Sequence, residues 1–292
     1  MMNKPENIGM TLLSPAKVNL FLKIIGKRPD GYHDLVTLMC PITLYDRISF
    51  TFTFETKKIT ITCSDPQIPQ NESNLAYRAA SCFLNTYPLG QGESVDIHIS
   101  KQIPVSAGLG GGSSNAATVL LGLNQYCGYP FSEEKLLSMG LSIGADVPFF
   151  IHGKPTIARG IGEKLETFTG LIPHYIVLVF PGFGVPTSMV YANLNLALTN
   201  CKKTITCSVL KQRGFNAEQH LCNDLESVTA SRYPIIFSIK ESLSNHGAIG
   251  ALMSGSGPTV YGLFSDLTLA QNAADAMSRN KKWQVFLVDM LL

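Results

Sequence analysis

Residues Pro104 to Ala117 read PVSAGLGGGSSNAA, with glycine at four of the five positions from Gly108 to Gly112. So many glycines cost entropy on folding, and an ordinary strand-to-helix connection needs one or two. Glycines also let backbone N–H groups come close to a ligand. The apolar stretch from Ser113 to Cys127 has helical character, so its start offers unpaired N–H donors and a partial positive charge. With the hydroxyls of Ser113 and Ser114, this favours an anion, most simply the phosphates of a nucleotide. Neither familiar phosphate motif fits. A P-loop has Lys directly after its last glycine, where Ser113 stands, and the dinucleotide fingerprint lacks its third glycine at that same position.

Two further groups have the right types for transfer chemistry. In PAKVN, Lys17 and Asn19 are two residues apart on a predicted strand, so both face one side. In GADVPFF, Asp146 is a single carboxylate among apolar residues. A lysine beside it would keep it ionised, and it could then take a proton from a hydroxyl. A phosphate loop, a carboxylate and a lysine form a minimal set for phosphoryl transfer to an alcohol. RPDGYH (Arg28 to His33) is a turn by its chemistry, and Tyr32 and His33 beyond it either stack on a ligand or pack. A second glycine run, MSGSGPTVYGLF (Met253 to Phe264), reads by itself as a tight turn before a strand. His98, His152, His174, His220 and His246 have no metal-ligand spacing and read as structural or surface residues.

The elements that must position these residues follow from periodicity. Strands are predicted at Lys17–Ile25, Tyr45–Phe54, Lys57–Cys63, Ser94–Ile103 and His174–Phe180. Helices are predicted at Asn74–Leu84, Ser113–Cys127 and from Ser132, with Asn74 or Ser73 and Ser132 as caps. After GADVP the sequence predicts two short strands, FFI and PTIAR. A composition shift at Pro181–Thr187 marks a boundary. It separates residues 1–180 as an N-terminal lobe from residues 181–292 as a C-terminal lobe. Beyond it, helices near Ser188–Leu198, Tyr233–Ser244 and Leu267–Arg279 alternate with strands in AIGALMS, TVYGLF and QVFLVDM, a split β-α-β pattern compatible with a ferredoxin-like lobe.

Composition narrows the function classes. The 292 residues are 45% hydrophobic and 15% charged, enough for a substantial core and too apolar for disorder. A formal net charge of +2 and no Lys/Arg cluster argue against nucleic acid as a partner. The seven cysteines form no C-x-x-C pair and read as thiols in a reducing compartment. No run approaches the roughly 18 apolar residues of a membrane span, and Met1 to Met10 has no leader-like pattern. A cytoplasmic protein of bacterial type is expected, without membrane or nucleic-acid partners.

Taken together, the motifs resemble the GHMP kinases, the superfamily named for galactokinase, homoserine kinase, mevalonate kinase and phosphomevalonate kinase. SPAKVNLFL is similar to their first motif, PVSAGLGGGSSNAA to the phosphate-binding motif and MSGSGPTV to the third, in order and across nearly the whole chain. The match narrows through PAKVNLFLKIIGKRPDGYHDLVTLMCPITLYDRI, NLAYRAA, GADVPFFIHG, ARGIGEKL and PGFGVPTSMVY. It points to the branch whose acceptor is a cytidine-diphosphate methylerythritol, phosphorylated by ATP on its 2-hydroxyl in the non-mevalonate route to isoprenoid precursors. Homoserine and mevalonate carry no nucleobase for the RPDGYH turn to grip.

The resemblance implies an α+β fold of two lobes, the first like a ribosomal S5 domain 2 and the second ferredoxin-like, with the active site between them. It implies Asp146 as the base on the acceptor hydroxyl, with Lys17 orienting it and stabilising developing charge. Asn19 would bond the acceptor's polyol. Pro104 and the backbone of Gly108, Leu109, Gly110, Gly111 and Gly112, with Ser113 and Ser114, would cradle the ATP phosphates, and Asn74 and Lys101 would lie near the adenosine. Tyr32 and His33 match the cytidine-recognition turn, and Thr187 and Tyr191 fall beside the substrate. Magnesium is expected to arrive with ATP, with no protein metal ligand assigned, and the chain is expected to be a monomer or weak homodimer. Ser106 and Ala107 replace glycines common in the family. The stretch Asn195–Leu221 matches no motif and contributes no site residue.

Overall fold

The computed structural model describes residues 8–53, 59–90, 93–194 and 214–292. Two long strands organise it, β1 (Ile8–Lys27) and β2 (His33–Thr53), joined by the RPDGYH turn. β2 starts far upstream of the predicted Tyr45. Pro41 lies inside it, and proline ordinarily argues against a strand interior because it has no N–H to pair. Here its carbonyl still accepts from Leu291 N at 2.9 Å.

The chain divides into two compact units. One holds the described residues up to Pro15, Tyr45–Ile103 and Gly111–Gly153. The other holds Ala16–Leu44, Pro104–Gly110 and Lys154–Leu292. β1 and β2 give residues to both, so the units interleave along the chain and do not coincide with one cut after residue 180.

In the first unit, β4 (Ser94–Ser100) pairs antiparallel with the later half of β2 and parallel with β3 (Ile59–Cys63). Residues 54, 57 and 58 of the predicted strands lie outside the described residues. Ile48, Phe50 and Phe52 alternate inward on β2, as Val95, Ile97 and Ile99 do on β4. The helices are α1 (Leu75–Thr86), α2 (Gly111–Tyr126), α3 (Glu133–Ile143) and α4 (Val147–His152). Asn74 caps α1 by accepting from Ala76 N, and Ser132 caps α3 by accepting from Lys135 N. Buried Ala76, Ala79, Ala80 and Phe83 give α1 one apolar face. Two expectations are corrected. The helix after the glycine loop begins at Gly111 rather than Ser113, and FFI is part of helix α4 rather than a strand. A short apolar run does not reveal its period. Pro148 in the first turn and left-handed Gly153 at the C-cap decide for helix.

In the second unit, β5 (Thr156–Gly160) pairs with the early half of β2 and with β6 (Lys164–Thr167), and β8 (Cys222–Asn223) runs parallel to β1 beside Phe21. A separate sheet has the order β11 (Gln284–Asp289), β7 (Tyr175–Phe180), β10 (Val260–Phe264), β9 (Gly250–Met253). With α8 (Ile235–Asn245) before β9 and α9 (Leu267–Ser278) before β11, this is the split β-α-β arrangement of a ferredoxin-like lobe. Its core includes Val177, Val179, Ile236, Ile239, Val260 and Ala273. Among the described residues, three short helices complete the unit: α5 (Thr187–Ala192), α6 (Ala217–His220) and α7 (Glu226–Arg232). The helix expected to reach Leu198 therefore ends at Ala192. The unmatched stretch lies outside the described residues from 195 to 213. Cys222 is disulfide-bonded, which corrects the reading of all seven cysteines as thiols.

A buried carboxylate ties the first unit together. Asp46, fully buried on β2, accepts from Lys101 Nζ, from Gln102 N at 2.8 Å, Ile103 N at 2.9 Å and Asn115 Nδ2 at 2.9 Å. Removing one partner of a buried ion pair strands the other charge. Asp46→Asn should therefore lose about 3–5 kcal/mol in urea unfolding, and adding Lys101→Met should recover part of that loss.

Candidate active site

Lys17 lies at the middle of β1 and is only 4% exposed. A buried ammonium needs acceptors. Its Nζ donates to Asn19 Oδ1 at 2.5 Å and to the carbonyl of Gly108 at 3.0 Å. The predicted same-face pair is thus a direct contact. Lys17 N also donates to Leu109 O at 3.0 Å, so the strand holds the glycine loop by its backbone as well. Asn19 is anchored in turn. Its Nδ2 donates to Thr37 Oγ1 at 2.8 Å, and its own carbonyl accepts from the phenol of Tyr261 at 2.8 Å. Burial raises the Tyr261 phenol well above its usual range, so it stays a donor.

The loop has its unusual shape for a packing reason. Gly108 has φ +79°, and a Cβ there would stand 2.0 Å from Ser254 O. Only glycine permits that approach. Ser254 Oγ donates to Gly108 O at 2.9 Å, and Gly255 leaves room for Lys17 Nζ, which would lie 3.1 Å from an added Cβ. The second glycine run, which reads as a plain turn in the sequence, therefore packs on the first and on the lysine. Ser106 has φ +52°, a left-handed conformation that favours glycine, and its carbonyl accepts from Val185 N at 2.9 Å.

The 253–257 loop is itself held by residues that the motifs do not reveal. Asn223 Nδ2 donates to Met253 O at 2.8 Å and Gly255 O at 2.7 Å, and Glu226 Oε2 accepts from Met253 N at 2.9 Å. Asp224 Oδ2 accepts from Ile24 N on β1 at 2.8 Å. These are contacts between distant parts of the chain, and no local pattern announces them.

Thr187 and Tyr191 lie four residues apart on α5, on one face. The Thr187 hydroxyl is 2.9 Å from that of Ser256, and the ring of Tyr191 is 5.4 Å from that of His33. The structure thus brings together three of the expected substrate residues with the loop that touches Lys17. Tyr32 is 60% exposed on the RPDGYH turn, where its backbone N–H donates to Asp30. Burial, helped by the charge of Lys27, lowers the His33 pKa below the usual imidazole range. At neutral pH it is an uncharged ring with one donor and one acceptor.

In the first unit, the start of α2 carries Gly111, Gly112, Ser113 and Ser114. The Ser114 hydroxyl is buried and accepts from Ser14 Oγ at 2.8 Å, and Asn115 Nδ2 donates to Ser14 Oγ at 2.9 Å. Ser114 therefore stiffens the turn from within. Gly112 is exposed, and an added Cβ would meet Leu75 Cδ1 at an ordinary contact distance of 3.7 Å. Lys101 Nζ lies 3.1 Å from where a Cβ on Gly111 would stand, so the buried Lys101–Asp46 pair reaches this helix start. Both polar atoms of Asn74 are engaged, Oδ1 with Ala76 N and Nδ2 with Pro69 O. Asp146 differs. It is half-buried at the N-cap of α4 without a capping bond, and among the described residues its carboxylate has no hydrogen-bond partner. Lys17 and Asp146 belong to different units. Among the described residues no three His, Cys, Asp or Glu side chains converge as a metal site, and no helix there is long and apolar enough to cross a membrane.

The fold and these motifs define a GHMP kinase: the family model described as GHMP kinases N terminal domain matches residues 74–154, and that described as GHMP kinases C terminal matches residues 210–282. A solved structure of a homoserine kinase from Cytophaga hutchinsonii has the same fold, with a TM-score of 0.75 at 17% identity over 100% of this chain and 96% of that one. Identity rises sharply for one branch. The 4-diphosphocytidyl-2-C-methyl-D-erythritol kinase of Syntrophotalea carbinolica is 45% identical over 96% of this chain and 98% of its own. That of Geobacter metallireducens is 45% identical over 97% and 99%. A crystal structure of 4-(cytidine 5'-diphospho)-2C-methyl-D-erythritol kinase superposes with a TM-score of 0.78 at 34% identity, covering 96% and 99%. The chain belongs to the 4-diphosphocytidyl-2-C-methyl-D-erythritol kinase family.

The lowered His33 pKa fixes the sign of a pH effect. The unfolded chain binds a proton at His33 more readily than the folded one, so this contribution to stability is present above the unfolded value, about 6.5, and falls as pH drops below it. An NMR titration should place His33 below the free imidazole value. Between pH 7 and 5, the wild-type protein should lose more stability than His33→Gln.

Proposed function

We propose that the chain transfers the γ-phosphoryl group of ATP to the 2-hydroxyl of 4-diphosphocytidyl-2-C-methyl-D-erythritol, in the non-mevalonate route to isoprenoid precursors. The observation that carries this is the Lys17 ammonium, held at once by the glycine loop's own carbonyl at Gly108 and by Asn19. One cation thereby links the segment proposed to hold phosphate to the residue proposed to hold the acceptor. In the transfer, the 2-hydroxyl gives its proton to the Asp146 carboxylate, its oxygen bonds to the γ-phosphorus, and the bond to ADP breaks. Lys17 offsets the charge that spreads over the transferred group.

The other residues bind and orient. The open N-terminus of α2 and the backbone from Gly108 to Gly112, with Pro104, Leu109, Ser113 and Ser114, receive the ATP phosphates. Asn74 and Lys101 lie on the adenosine side. Asn19 keeps a second amide N–H for the acceptor's polyol. Neutral His33, with Tyr32 and Tyr191, accepts the cytosine by stacking and by its one donor and one acceptor. Thr187, next to Ser256, holds the substrate's near side. Magnesium comes with ATP and neutralises its phosphates, while this chain's residues set the position of the transferred group. The protein works in the cytoplasm as a monomer or weak homodimer.

Asp146→Asn keeps the size of the side chain and removes its basicity. Turnover should fall by at least ~10² while ATP affinity, measured by calorimetry, stays within about twofold. Near-normal turnover would remove Asp146 from the base role.

A further inference from the structure

The Lys17–Asn19 contact depends on which way the Asn19 amide faces. Reversed, the amide would turn its NH2 toward an ammonium, donor against donor, and its oxygen away from it. Asn19 is 3% exposed, so water does little to compensate an error. Its orientation has to be set by the atom at its far end, the hydroxyl of Thr37, which is also 3% exposed. Thr37 Oγ1 donates its single proton to Phe21 O at 2.6 Å and accepts from Asn19 Nδ2 at 2.8 Å. With that proton committed to a backbone carbonyl, the oxygen offers only lone pairs toward Asn19. It therefore selects the NH2 end and turns the amide oxygen to Lys17 Nζ, 2.5 Å away. Phe21 is on the same strand as Lys17 and Asn19, so the chain of bonds closes on β1 itself.

We infer that Thr37 is a positioning residue for phosphoryl transfer: through the polarity of one hydroxyl it fixes the Asn19 amide and thereby the Lys17 ammonium. The inference rests on the role proposed for Lys17. Thr37 is buried and its hydroxyl is engaged by Phe21 O and Asn19 Nδ2, so its effect passes through Asn19.

Three features separate this role from a merely structural one. Thr37→Val preserves shape and removes the hydroxyl, and should lower kcat at least ~10-fold while the KM for ATP stays within about twofold. Thr37→Ser restores the hydroxyl and should recover most of that loss. In an Asn19→Ala background, Thr37→Val should cost less than about twofold more, because the residue it acts through is gone. Circular dichroism and thermal melts establish that each variant is folded. If Thr37→Val is not, Thr37→Ala removes the same hydroxyl and takes its place. The inference is overturned if Thr37→Val retains kcat within about twofold of wild type while Lys17→Met has lost it, or if the Thr37 and Asn19 losses simply multiply. Normal turnover in Lys17→Met would instead overturn the role of Lys17, and this inference with it.

Discussion

A lysine ammonium with 4% exposure has to be supplied with oxygen acceptors by the protein, and much of this structure follows from that need. One acceptor is the Gly108 carbonyl, which takes a second bond from Ser254 Oγ. For that carbonyl to reach both donors, the Gly108 backbone comes so close to Ser254 that no side chain fits, and Gly255 leaves out the Cβ that would crowd Lys17 Nζ. Two glycine runs far apart in the chain are thus interlocked around one positive charge. The constraint continues outward. Asn223 and Glu226 hold the second run by its backbone at residues 253 and 255, and Asp224 holds β1 at Ile24.

This arrangement gives the glycine loop two separate tasks. Gly108 serves packing, fixing where the loop's carbonyl sits. Gly112, at the start of α2, is exposed and leaves the helix start uncrowded. In the first unit a similar principle operates with opposite charge, because buried Asp46 fixes the approach to α2 through Lys101, two backbone N–H groups and Asn115. In each unit a buried charge with several partners sets one element of the proposed site.

How much of this the sequence discloses depends on whether the relation is local. Lys17 and Asn19 share a face because strands have period two, and they do touch. The caps at Asn74 and Ser132 are legible because a cap lies next to the turn it satisfies. The alternation of helices and strands after Pro181 discloses a split β-α-β pattern, but not that Tyr175–Phe180, on the other side of the predicted boundary, joins that sheet between β11 and β10. Asp46 was open to the same logic, since it occupies the inward register of Ile48, Phe50 and Phe52, yet a single carboxylate in a strand draws little notice. FFI does not announce its helix because three apolar residues carry no period, and the deciding signals are the flanking Pro148 and Gly153. The partnership of the two glycine runs is not legible at all from composition. It arises from a backbone approach between residues 146 positions apart, visible only once the chain is folded.

The central claim concerns the acceptor, and it is tested most directly by ADP release from ATP with three acceptors offered side by side: 4-diphosphocytidyl-2-C-methyl-D-erythritol, mevalonate and homoserine. The rings of His33 and Tyr191, 5.4 Å apart, are the pair proposed to receive the base of the acceptor. The account predicts ADP release stimulated by the cytidine-diphosphate substrate alone. Stimulation by mevalonate or homoserine and not by the cytidine-diphosphate substrate would contradict it.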